Sequence, residues 1–215
     1  MIPYRSDAET AAAIPGVVAH LVRRGLIGYP TETVYGLGST VRSSAVSRLA
    51  ALKGRQPGKP FLLLVAGPEM LRDVGLRLTD AADRFASAFW PGPLTLVLPG
   101  GEGVLPDTLR GPEGGIAVRW TSHAGIAQLI ATLGSPITST SANRPGEAAA
   151  QTATDVAAMF APAVADGSLL VLDAGALAAS APSTVVDCTG LAPRLIRRGA
   201  LEPSRLRAIV PGLLG

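Results

Sequence analysis

The sequence predicts an α/β fold in which helices flank an open, twisted, mixed sheet. Short apolar runs of strand length alternate along the 215-residue chain with segments of helical spacing, a pattern typical of a sheet covered by helices. The last three runs follow one another too closely for helical crossovers, which favours some antiparallel pairing. The length suits one domain, and we expect a single domain over residues 1–215.

The predicted elements follow the apolar spacing in chain order. The first helix carries Val17, Val18, Leu21 and Val22, with Pro15 near its start and Gly25 past its end. Further helices are predicted at Ser44–Leu52, Asp80–Phe89 with Thr79 as N-cap, Ala124–Thr132 with Ser122 as N-cap, around Ala157, and at Ser204–Ile209. Strands are predicted at Leu26–Tyr29, Phe61–Val65, Leu94–Leu98, Ile116–Trp120, Ile137–Thr140, Leu169–Asp173, Ser183–Cys188 and Arg194–Arg197.

Composition narrows the class of protein. Hydrophobic residues make up 47 % of the chain and charged residues 16 %, as in a globular protein, and the net charge of +3 is too small for a general nucleic-acid coat. A single cysteine, Cys188, permits no disulfide and indicates a reducing cytoplasm. The N-terminus is not a signal peptide, and no apolar run suggests a membrane contact. Two distant histidines form no metal motif, so no metal site is predicted from protein side chains.

Both lysines of the chain, Lys53 and Lys59, lie in one segment with Arg55, while all other basic residues are arginines. A compact ammonium on a flexible stem suits phosphate, and glycines and prolines shape the loop around it. The alternatives are chance clustering, or cations that complement a helix C-terminus. A phosphate-binding loop of the GxxxxGK[ST] type is absent.

Two hydroxyl-rich segments follow predicted strands. Residues 30–38, PTETVYGLG, offer three hydroxyls, the Glu32 carboxylate and two glycines, or form only a polar turn between a strand and a helix. Residues 139–143, STSAN, offer three hydroxyls and an amide that suit phosphate or carboxylate oxygens. A helix cap or an Asx turn is the alternative for STSAN.

Arginines within apolar strands need a negative partner. Arg119 lies between Val118 and Trp120, and an acidic residue or a ligand carboxylate would satisfy it equally well. Arg197 occupies a similar position in LIRRG, and Asp187 is a candidate structural partner for such an arginine.

Together these segments resemble the YrdC family of threonylcarbamoyl-adenylate synthases. The motifs PTETVYGLG, KxR as Lys53-Gly54-Arg55, WPGPLTLVL, SxN as Ser141-Ala142-Asn143, STVVD and LIRRG occur in the family's order between residues 30 and 199. The resemblance implies a YrdC-like sheet around a concave, positively charged cavity. It also implies that ATP, L-threonine and bicarbonate are substrates, with Mg2+, and that the product passes to a tRNA threonylcarbamoyl-transferase complex.

The resemblance assigns residues by motif. It implies ATP contacts at Lys53, Arg55, Lys59, Ser141, Asn143 and Arg197. It implies threonine contacts at Thr33, Thr95, Arg119, Ser139 and Ser183. Leu64 departs from the pattern, because longer family members have a threonine-binding histidine there.

The chemistry fits these residues. Threonine and bicarbonate combine to a carbamate that must attack the α-phosphorus of ATP, and two anions approach only where cations neutralise them. No covalent nucleophile is needed, so Cys188 is expected to be a buried strand residue. The alternatives are an RNA-binding YrdC-like paralogue without synthase activity, and a carbamoyltransferase-type module of a hydrogenase-maturation protein. Aromatic residues are only 4 % of the chain, which disfavours a stacking surface for RNA, although RNA contact is compatible with catalysis.

Overall fold

A computed structural model describes residues 1–54, 60–178 and 180–215. Its centre is one sheet of ten strands in the order β1-β8-β2-β3-β7-β4-β6-β5-β9-β10. The strands are β1 Ile2–Pro3, β2 Leu26–Tyr29, β3 Gly36–Gly38, β4 Leu62–Val65, β5 Leu94–Leu98, β6 Ile116–Trp120, β7 Ile137–Ser141, β8 Leu169–Asp173, β9 Thr184–Asp187 and β10 Arg194–Arg197. Parallel pairs such as β4–β6 and β5–β9 coexist with antiparallel pairs such as β3–β7 and β9–β10, which confirms the mixed sheet.

Helices flank this sheet, as predicted. They are α1 Asp7–Val22, α2 Ser43–Lys53, α3 Glu69–Asp73, α4 Asp80–Phe89, α5 Ala124–Leu133, α6 Ala153–Met159, α7 Ala161–Ala165 and α8 Pro203–Ile209, with a 3-10 turn at Asp107–Leu109. Helix α1 packs on α5 and on β2, and α4 packs on α8 and β5. Among the described residues, no helix combines the length and apolarity needed to cross a membrane.

The prediction for the start of α1 was wrong. The helix begins at Asp7, and Pro15 lies in its middle rather than in its first turn. Ser6 is the N-cap: its Oγ accepts a hydrogen bond from the Glu9 amide, while the Glu9 carboxylate accepts one from the Ser6 amide. This capping box satisfies the Ser6 and Glu9 amides, and burial of Ile14, Val17 and Leu21 outweighs the backbone hydrogen bond that Pro15 cannot donate.

One of the two predicted N-caps is confirmed, and the other is wrong. The Thr79 hydroxyl accepts from the Ala82 amide and caps α4. Helix α5 is capped by His123, whose Nδ1 accepts from the Ile126 amide, and not by Ser122. The His123 ring must therefore be neutral at Nδ1 to hold the cap, and burial lowers its pKa in agreement with that role.

The segment PTETVYGLG is not a turn between a strand and a helix. It is a turn followed by β3, which pairs with β2 so that Tyr29 lies opposite Gly36. A Cβ on Gly38 would stand 2.5 Å from the Thr138 carbonyl oxygen and 2.8 Å from the Tyr29 ring, so only glycine fits there. The buried Tyr29 ring lies against the two glycines of this strand, Gly36 and Gly38.

Candidate functional site

A cavity of about 570 Å³ opens on one face of the sheet. Alternate residues of β6 and β7, such as Ala117 with Arg119 and Ser139 with Ser141, line it because side chains two apart on a strand share a face. The loop before β3 and the segment before β9 complete its wall. All five predicted threonine contacts line this cavity, namely Thr33, Thr95, Arg119, Ser139 and Ser183.

These five residues form what we call the inner end of the cavity. Each of them is buried, with between 2 % and 5 % of its surface exposed. Several of their hydroxyls are held in pairs: Thr33 Oγ1 lies 2.9 Å from Thr31 Oγ1, and Thr95 Oγ1 lies 2.8 Å from Ser183 Oγ. Hydroxyls fixed in this way present defined donors and acceptors to a small polar ligand.

The strand arginine at the inner end has an acidic partner. Arg119 Nε lies 3.4 Å from Glu32 Oε1, and the other carboxylate oxygen accepts a 2.8 Å hydrogen bond from Thr121 Oγ1. Asp187 does not pair with Arg119 or Arg197; it accepts from Thr189 and lies 3.6 Å from Arg194. Since Arg119 also lines the cavity, the acidic partner and a ligand carboxylate can be satisfied by different edges of the same guanidinium.

Arg197 is placed beside the inner end rather than beside Lys53. Its guanidinium donates to the Ser183 carbonyl at 2.8 Å and to Ser183 Oγ at 3.1 Å. Partial burial and the nearby positive charge of Arg119 lower the pKa of Arg197. The side chain lines the same cavity, so its charge acts on whatever ligand occupies the cavity.

Three predicted nucleotide contacts form a second group, which we call the outer end. The buried Lys53 ammonium, at the end of α2, donates to the Ser141 carbonyl at 2.7 Å, to the Asn143 carbonyl at 2.5 Å, and to Asn143 Oδ1. Ser141 Oγ also donates to Asn143 Oδ1, at 2.6 Å. Ser141 is exposed and lines the cavity.

Asn143 has a structural task in this group. Its amide nitrogen donates to the Arg144 carbonyl at 3.0 Å and to the Glu147 carbonyl at 2.7 Å, which closes the turn after β7. Asn143 is not among the residues that line the cavity. The geometry therefore shows the turn that was the alternative for STSAN, while a ligand contact at Asn143 stays a prediction. Arg55 and Lys59 lie outside the described residues.

Sequence reasoning did not assign a role to Glu32 or Thr121. The sequence did indicate Glu32, because a buried arginine in a strand needs an acidic partner and Glu32 is the acidic residue of PTETVYGLG. Leu64 is fully buried, pairs in register with Arg119, and lies two residues from Leu62 in the cavity wall. Leu62, and not Leu64, is the residue of this strand that lines the cavity.

The described residues offer neither a cluster of metal ligands nor a reactive cysteine. Among residues 1–54, 60–178 and 180–215, no three His, Cys, Asp or Glu side chains come together as a metal cluster. Cys188 is buried in the core, and burial raises the pKa of its thiol to about 12. A thiol in that state is a packing group and not a nucleophile.

The fold and the cavity define an α/β protein that offers two arginines and a set of fixed hydroxyls to a small polar ligand. The family model Sua5_yciO_yrdC, described as "Telomere recombination", matches residues 20–199. The chain belongs to this Sua5/YciO/YrdC family, which confirms the resemblance seen in its motifs.

Two similar relatives share one name. The chain is 43 % identical to the threonylcarbamoyl-AMP synthase of Chromohalobacter salexigens, over 83 % of this chain and 94 % of that protein. It is 35 % identical to the enzyme of the same name from Pyrococcus abyssi, over 90 % of this chain but only 56 % of that protein. The structure of P. abyssi Sua5 complexed with L-threonine superimposes with a TM-score of 0.89 at 32 % identity, over 99 % of this chain and 61 % of that one. The chain thus spans little more than half of the Pyrococcus protein.

Proposed function

We propose that this chain synthesises threonylcarbamoyl-AMP from L-threonine, bicarbonate and ATP, with release of pyrophosphate, as one domain over residues 1–215. The proposal depends on one observation, which is that separate motifs meet at a single cavity. Five residues taken from motifs far apart in the sequence line one cavity, and Ser141 connects that cavity to Lys53. The name shared by the relatives, and the threonine bound to the P. abyssi structure, support the same reaction.

The inner end would bind threonine. Its carboxylate would take the free edge of Arg119, and its hydroxyl would exchange hydrogen bonds with Thr33, Ser139 or Ser183. The amine and bicarbonate give a carbamate and water, and one carbamate oxygen then bonds to the α-phosphorus of ATP. The bond from that phosphorus to the oxygen bridging the β-phosphate breaks, and pyrophosphate leaves with the electron pair.

The outer end would hold the nucleotide. Lys53, Ser141 and Asn143, with Arg55 and Lys59 from the lysine loop, would contact the phosphates, and Mg2+ would enter bound to ATP. Arg197, which faces the cavity beside Ser183, would neutralise charge where the carbamate and the phosphate meet. The chain's contribution is thus position and positive charge, which suffice for a reaction without a protein nucleophile.

The product is a mixed anhydride that hydrolyses readily, so it would be handed to a tRNA threonylcarbamoyl-transferase complex. We place this exchange in the cytoplasm, where tRNA and ATP are available. Direct RNA contact would then serve delivery rather than catalysis.

Pyrophosphate release from ATP tests the proposal. It should require both threonine and bicarbonate, proceed less well with serine, and proceed poorly with valine, because valine has no hydroxyl for the inner end to bond. Equal release with valine, or release without bicarbonate, would contradict the proposed reaction.

A further inference from the structure

The contact between Glu32 and Arg119 compensates charge without forming a hydrogen bond. Their nearest atoms, Arg119 Nε and Glu32 Oε1, are 3.4 Å apart, and each is buried without a hydrogen-bond partner. The side chains are 4 % and 15 % exposed, so water screens the pair only weakly. Thr121 holds the other carboxylate oxygen in place.

This arrangement determines which part of Arg119 faces a ligand. The Nε edge lies toward Glu32, while the residue as a whole lines the cavity, so its Nη nitrogens are the atoms left for a ligand. Glu32 itself does not line the cavity. It can act on a ligand only by positioning Arg119 and by the electric field of its carboxylate.

The two arginines of the cavity therefore differ in charge balance. Arg119 has a buried carboxylate beside it, whereas among the described residues no carboxylate lies within 4.0 Å of Arg197. Both arginines lie at the inner end, since Arg197 donates to Ser183, so Glu32 offsets one of the two positive charges there. Without Glu32 both charges would attract a lone anion; with it a zwitterion is favoured, because its ammonium is attracted to Glu32 while its carboxylate bonds to Arg119.

We propose that Glu32 is a positioning residue that selects a zwitterionic amino acid over a simple carboxylate at the inner end of the cavity. The inference deepens the proposed function, since it states why the amine-bearing substrate binds at Arg119. In a partly buried site, one unit charge near a ligand changes the ligand's dissociation constant by about tenfold or more.

The test compares L-threonine with 3-hydroxybutyrate of matching configuration, which keeps the carboxylate, hydroxyl and methyl but lacks the amine. Dissociation constants are measured by direct binding of labelled L-threonine and by its displacement. In the natural chain threonine should bind at least tenfold more tightly. Glu32→Gln should reduce that ratio by about tenfold, because the amide has no charge to attract the ammonium or repel the carboxylate. A purely structural role would weaken both ligands and leave the ratio unchanged.

Two further variants make the comparison sharp. Glu102 also lies 3.4 Å from an arginine, Arg110, but its side chain is 75 % exposed, so Glu102→Gln should leave both constants unchanged. Thr121→Val removes the hydrogen bond to Glu32 but keeps the charge, so it should weaken both ligands equally and preserve the ratio. If Glu32→Gln does not fold, the natural chain still tests the selection, because equal affinity for the two ligands overturns it.

The outcomes separate the two proposals. Equal affinity of the natural chain for both ligands, or an unchanged ratio in Glu32→Gln, overturns the selection by Glu32. A natural chain that prefers threonine but releases no pyrophosphate supports the selection and overturns the synthase activity. A chain that binds neither ligand overturns both.

Discussion

The two ends of the cavity are built differently. At the inner end, hydroxyls are buried and paired with one another, and Arg119 is held by Glu32 from behind the cavity. At the outer end, Lys53, Ser141 and Asn143 are bonded to each other, and Asn143 also closes a turn. The inner end is therefore organised before a ligand arrives, whereas in the proposed reaction the outer end must exchange internal hydrogen bonds for bonds to phosphate. That difference predicts where a substitution costs binding and where it costs stability.

The largest effect is expected at the inner end. Arg119→Lys keeps a cation beside Glu32 but loses the two-pronged edge that faces the ligand, so threonine-dependent pyrophosphate release should fall roughly 100-fold, or about 2.7 kcal/mol. Steady-state kinetics at varied threonine measures it. Arg110→Lys, at an arginine paired with Glu102 and Asp107 outside the cavity, is the control and should retain activity. Comparable losses in both variants would contradict a ligand role for Arg119.

At the outer end, Lys53→Ala should lower turnover severely, by roughly 30-fold. The ammonium anchors the carbonyls of Ser141 and Asn143, and in the proposed reaction it also neutralises phosphate. Lys59→Ala should mainly weaken ATP affinity. Measuring kcat and KM for ATP in both variants tests the division, and small, similar effects would mean that neither lysine acts on the nucleotide.

Ser141→Ala and Asn143→Ala should separate binding from stability. Removing one neutral donor to phosphate costs about 1 to 3 kcal/mol in the transition state, a factor of roughly 5 to 150. Ser141 is exposed in the cavity, so its variant should slow adenylate formation with an unchanged melting temperature. Asn143→Ala opens the turn, so it should lower both the melting temperature and the rate of adenylate formation. Thermal unfolding and pyrophosphate release on the same preparations check this; a stable Asn143→Ala chain would remove the structural role assigned to its amide.

The smallest effect concerns the support behind the inner end. The His123 amide bonds to Thr121 Oγ1, and His123 caps α5 as a neutral ring whose pKa is lowered by burial. The pKa of His123 is lower in the folded chain than its value of about 6.5 in the unfolded chain. The stability that the neutral ring contributes is therefore present above pH 6.5 and is lost as the pH falls from there through the folded pKa.

Between pH 7 and pH 5 the melting temperature should thus decrease by about 2 °C more in the natural chain than in His123→Asn, whose amide caps without titrating. Thermal unfolding across this range measures the difference. Parallel curves for the two proteins would show that the cap does not depend on the neutral ring.

Much of this organisation could be predicted from sequence, for identifiable reasons. Strands such as Leu94–Leu98 are nearly continuous apolar runs, so their limits are visible. Strand β3 was missed because two of its three residues are glycines, and it becomes a strand by pairing with β2 on one edge and with β7, about 100 residues later, on the other. The motifs predicted the inner end, but the pairing of Arg119 with Glu32 depends on how β6 lies against the turn before β3. Composition and periodicity do not encode that placement.

Strand β7 hydrogen-bonds to β3 on one edge and to β4 on the other, and so it joins the two halves of the sheet. The same strand supplies Ser139 to the inner end and Ser141 to the outer end. If the two ends bind threonine and ATP as proposed, a change in twist between the halves would shift the spacing of the two substrates. The amides of residues 137–141 should exchange with deuterium most slowly when both substrates are bound together, and not when either is bound alone, which would make this strand a direct reporter of a ternary complex.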